Sequence, residues 1–121
     1  MGRLGGRATR AVPGARVIFR RGQFGELVER QLDLFTSETD LLEEATDADA
    51  AWTNAAADET EELYGDFQLV VDAIGERLYD IRETYAATLE AGTADQYRAA
   101  FDRAARKRFG RYASFLEESA R

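Results

Sequence analysis

The sequence predicts an all-α protein, an antiparallel three-helix bundle with coiled-coil character. Three observations carry that prediction. The single proline, Pro13, lies near the start, so no proline interrupts the chain beyond it. Apolar doublets recur every seven residues as Leu27-Val28, Leu34-Phe35 and Leu41-Leu42, a spacing that keeps them on one helix face. With Tyr64, Val71, Leu78 and Tyr85 at heptad position a, Phe67, Ile74, Ile81 and Thr88 fall at d, and Leu63 and Val70 widen the seam.

Residues 1–21 hold six arginines and no acid, and their Gly and Arg content predicts a disordered head ahead of a single helical domain over 22–121. Val17-Ile18-Phe19 reads either as a short strand or as the start of the first helix. The doublets predict that helix over about 24–45, with a break point at Thr36-Ser37. Thr46-Asp47-Ala48-Asp49 reads as a turn, with Thr46 the N-cap of a second helix over 48–91. Asp58, Glu59, Glu61 and Glu62 suit the positive end of its long apolar part. Gly92 supplies a stop, and Thr93-Ala94-Asp95-Gln96 matches a capping box that opens a third helix over 94–119. The short Ala91-Gly92-Thr93 link makes the last two helices antiparallel.

The charge is unevenly divided. Residues 22–90 carry nineteen acids against three arginines, whereas 91–121 carry seven basic residues against four acids, within a net charge of −7. Between Arg30 and Arg77 there are fourteen acids and no base. Such asymmetry bears on association more than on fold. The absence of Cys and His rules out disulfides, zinc fingers and Cys or His catalytic relays. Acid–base chemistry would fall to carboxylates, tyrosines or Lys107, the one lysine, and metal binding to oxygen ligands. No apolar run reaches the ~20 residues of a membrane span. The first residues lack the apolar core of a secretory signal, so the expected setting is the cytoplasm, away from membranes.

Several groups are candidates for function. Asp58, Glu62, Asp72, Glu76, Asp80 and Glu83 take heptad positions b, c and f, opposite the seam, as a solvated face or an acidic docking surface. Glu26-Leu27-Val28-Glu29 and Glu59-Thr60-Glu61-Glu62 both read ExxE, and Glu61 to Asp66 resembles part of the Mg²⁺ signature of all-α nucleotide pyrophosphatases. The resemblance implies Glu26, Glu29, Glu59, Glu62 and Asp66 as metal ligands. The spacing departs from that signature, because Glu62 and Asp66 stand four residues apart rather than three, which turns a ligand by ~100°. The residues therefore do not assign the chain to that family, and no cofactor is expected outside this reading.

Arg103, Arg106, Lys107, Arg108 and Arg111 form a dense basic run. It suits phosphate contacts with Phe109 or Tyr112 stacking on bases. It equally suits the negative end of a helix, level with Asp72, Glu76 and Asp80 across the antiparallel turn. The acidity of the domain weighs against nucleic acid. Trp52, the one tryptophan, stands among alanines as a groove filler or an interaction anchor. So thin a helical core gains from covering a second face. The sequence thus points to protein–protein interaction, as a homodimer or a complex component, with Arg103, Arg106, Lys107, Arg108, Arg111 and Trp52 at the interface. A Mg²⁺-dependent enzyme is the alternative, and nucleic-acid binding through the basic helix the third.

Overall fold

A computed structural model of the chain describes residues 23–113, and these are all-helical, with four α-helices and no strand among them. The helices are α1 (Gly25–Glu38), α2 (Leu41–Thr53), α3 (Thr60–Ala86) and α4 (Ala91–Phe109), and a 3₁₀ turn (Gly110–Ala113) closes the described chain. The expected head, the Val17-Ile18-Phe19 segment and the end of the expected third helix lie outside the described residues.

The first helix expected over 24–45 is two helices, broken three residues later than Thr36-Ser37. Hydroxyl bonds accompany the break. Thr36 Oγ1 donates to the Leu32 carbonyl at 2.9 Å and Ser37 Oγ to that of Leu34 at 3.1 Å, competing with the backbone ladder at the end of α1. Thr39 then turns extended (φ −121°, ψ 148°), and its Oγ1 accepts the Leu41 N–H at 3.2 Å. Along α1 only one member of each doublet is fully buried. Phe24, Val28, Leu32 and Phe35 face the core at helical spacing, Leu27 is half-buried and Leu34 is exposed.

Thr46-Asp47-Ala48-Asp49 is no turn. It lies inside α2, where Thr46 Oγ1 donates back to the Leu42 carbonyl at 3.0 Å instead of capping. The turn falls at residues 54–59, where Asn54 folds its side-chain amide onto the Ala50 carbonyl at 2.9 Å and Glu59 N–H returns to Ala56 at 2.9 Å. The alanines of α2 let it lie close along α3, with Ala45 fully buried.

Helix α3 buries Phe67, Val71, Ile74, Gly75, Leu78, Arg82 and Ala86. The stripe leaves the heptad seam. Tyr64 is exposed, Ile81 and Tyr85 are half-buried, and the buried line passes through Arg82 and Ala86. A straight helix of 3.6 residues per turn drifts off a seven-residue repeat in this way, where a supercoil would hold it. The last helix starts earlier than a cap at Thr93 implies. Glu90 is its N-cap, its backbone carbonyl accepting the Ala94 N–H at 2.8 Å, and Gly92 sits inside the first turn instead of stopping a helix. At its other end Gly110 takes φ +58°, a conformation open to glycine, and the chain leaves the helix axis.

Contacts fix the directions. Phe24 meets Tyr97 edge-on at 5.5 Å and Phe35 meets Phe109 at 5.6 Å, so α1 runs parallel to α4. Arg82 faces Asp102 and Glu83 faces Arg98, so α3 and α4 are antiparallel as expected. The short turn at 54–59 sets α2 antiparallel to α3. Tyr97, Phe101, Leu32, Ile74, Leu78 and Val28 form the driest part of the shared core.

Candidate functional site

Two regions of the surface carry chemistry beyond packing. The first is a charged cleft between α3 and α4. It is lined by Tyr79, Arg82, Glu83, Asp95, Arg98, Ala99 and Asp102. Helical spacing builds it: Arg82 and Glu83 leave α3 side by side, while Asp95, Arg98 and Asp102 rise along one edge of α4. Arg82 Nη1 donates to Asp102 Oδ1 and Arg82 Nε to Glu83 Oε2, both at 2.8 Å. Arg98 forks onto both oxygens of Glu83, at 2.9 and 3.0 Å, and its third nitrogen reaches Asp95 at 3.0 Å. The guanidinium carbon of Arg82 lies 5.0 Å from the centre of the Tyr79 ring.

Hydrogen bonds from Arg98 hold the Glu83 carboxyl below its ordinary range, with Arg82 adding to the effect and partial burial opposing it. Glu83 is thus a fixed anion and a poor proton donor near neutrality. The carboxylates here are engaged by arginines, so the cleft acts as a clamp between helices. A single pattern in the sequence could have located it. Leu78, Arg82 and Ala86 follow one another at four-residue steps, which puts an arginine in an apolar stripe and demands a buried acid opposite.

The second region gathers charges that stay outside. Asp72, Glu76 and Asp80 are exposed and form no ion pair among the described residues. The basic run does not turn toward them. Arg108 crosses to α1 instead, gripping Asp33 at 2.8 Å and Glu29 in a still shorter contact. Arg103, Arg106 and Lys107 are exposed and also make no ion pair among the described residues. Arg111 falls in the 3₁₀ turn.

Trp52 is half-buried, stacked on Phe67 (5.8 Å, 16° between ring planes) and tilted against Tyr64 at 4.8 Å. It fills the groove between α2 and α3 beside their connecting turn and also fronts a shallow surface hollow with Ala57, Thr60, Glu61 and Tyr64. Glu26, Glu29, Glu59, Glu62 and Asp66 are all exposed, and Glu29 is taken by Arg108. Among the described residues no group of three or more acids is close enough to hold a metal ion. No helix among them is long and apolar enough to cross a membrane.

No family model matches this chain, and neither curated proteins nor solved structures give a match.

Proposed function

We propose that this protein is a cytoplasmic interaction module that works by pairing with a second copy of itself or with a dedicated protein partner. One observation carries the reading. Asp72, Glu76 and Asp80 of α3 and Arg103, Arg106 and Lys107 of α4 are exposed and form no ion pair among the described residues, although they belong to adjacent antiparallel helices. Internal pairing would have consumed both signs. Left outside, they form surfaces of opposite sign that suit a contact between molecules and suppress wrong partners.

Sedimentation velocity over a range of protein and salt concentrations tests this. Association should weaken as added salt shortens the Debye length from ~10 Å toward ~3 Å. A monomer at every concentration, with no partner recovered from the source cell at low salt, rules the reading out.

A further inference from the structure

The hollow at Trp52 combines an aromatic wall with an acidic rim. Its wall is aromatic, from Trp52 and the exposed ring of Tyr64, and its rim carries the exposed carboxylate of Glu61. It also stands in the middle of the long stretch of chain without a base, with Asp58, Glu59 and Glu62 beside it. An aromatic face next to carboxylates attracts a cation through the ring quadrupole and through charge, and a guanidinium suits both because it stacks and donates in one plane.

The same end of the molecule holds the cations. Phe67 bridges Trp52 at 5.8 Å to Tyr112 at 6.3 Å, and Tyr112 belongs to the 3₁₀ turn that follows the basic end of α4. Arg103, Arg106 and Lys107 share one face of α4 at three- and four-residue steps. A two-fold contact between identical chains needs each patch and its complement on one side of the molecule, so that both contacts form at once. We infer that the Trp52–Tyr64 hollow is the cation-binding site of a symmetric homodimer, and that it receives the Arg106 side chain of a second copy. This rests on the interaction reading above and narrows it to one surface.

A charge swap tests the site. Glu61→Arg and Arg106→Glu should each weaken self-association by about tenfold or more, a change of ~1.4 kcal/mol or above. Mixed in equal amounts they should pair with each other, because the exchange restores opposite charges at both contacts. Tyr64→Ala, which leaves the charge untouched, should weaken association as well. Circular dichroism melts check that each variant is folded. Trp52 is the one tryptophan, so its emission reports on the hollow directly and should change with dilution across the association range.

If wild type associates while the variants match it and Trp52 emission stays constant, the hollow is not the contact and another surface carries the dimer. If the wild type stays monomeric throughout, the homodimer itself falls, and this site with it.

Discussion

Arg82 of α3 and Asp102 of α4 meet at 2.8 Å across the helix interface with their side chains only 4% and 8% exposed. Removing one partner strands a charge where water scarcely reaches. Arg82→Met alone, which strands Asp102, should therefore cost ~3–5 kcal/mol, and Asp102→Leu less, because Arg82 keeps its bond to Glu83. The double variant Arg82→Met/Asp102→Leu should cost clearly less than the two added together, since an apolar pair leaves nothing stranded. Urea unfolding of the three variants measures this, and simple additivity would show that the pair is not coupled.

The Glu83 carboxyl adds a dependence on acid. Its pKa is lowered in the fold from an ordinary 4.5. Its contribution is thus fully present above pH 4.5 and is lost as the pH falls through the folded value. Glu83→Gln should flatten the stability profile below that pH. An unchanged acid limb in the variant would leave the clamp without a role in acid unfolding.

Tyr97 acts at the other extreme. Burial pushes its phenol up to about 12, and its O–H donates to Gln31 Oε1 at 2.7 Å. In the unfolded chain it ionises near pH 10, so stability should drop between pH 10 and about 12 by up to ~2–3 kcal/mol. Absorbance at alkaline pH would follow the phenolate, and Tyr97→Phe should remove this part of the alkaline loss. A Tyr97 that ionises near pH 10 in native protein would contradict it.

The middle of α3 should dominate stability. Ile74 and Leu78 are both 0% exposed, so Ile74→Ala and Leu78→Ala should each cost ~2–5 kcal/mol. Exposed Glu76 should tolerate alanine within ~0.5 kcal/mol. Thermal or urea melts of the three variants decide it, and equal losses at all three would mean that the buried face is misplaced.

Periodicity made the helical class and much of the core legible. Phe67, Val71, Ile74 and Leu78 were expected on one face and are buried together. Boundaries were less legible, because Thr and Gly serve several local geometries. Thr46 and Thr93 look like caps, yet one bonds backward within its helix and the other lies past the true start. The clamp was missed for a different reason. A seam drawn by apolar residues skips a charged residue, and Arg82 earns burial only through Asp102 and Glu83, which a heptad count does not link. The basic run is plain in the sequence. The internal partner of Arg108 is not, since the parallel course of α1 beside α4, which brings Glu29 and Asp33 to it, arises from the whole topology.

That parallel course has a kinetic meaning. Helices α2, α3 and α4 follow one another through short turns, so their contacts close small loops. Helix α1 docks on a helix whose matching residues lie 66 to 79 positions further along the chain, as Gln31 with Tyr97 and Glu29 with Arg108. Loop closure over such distances is entropically slower and is repaid only once the partner surface exists. Sequence separation thus predicts that the hairpins form the template and that α1 is the latch that shuts last.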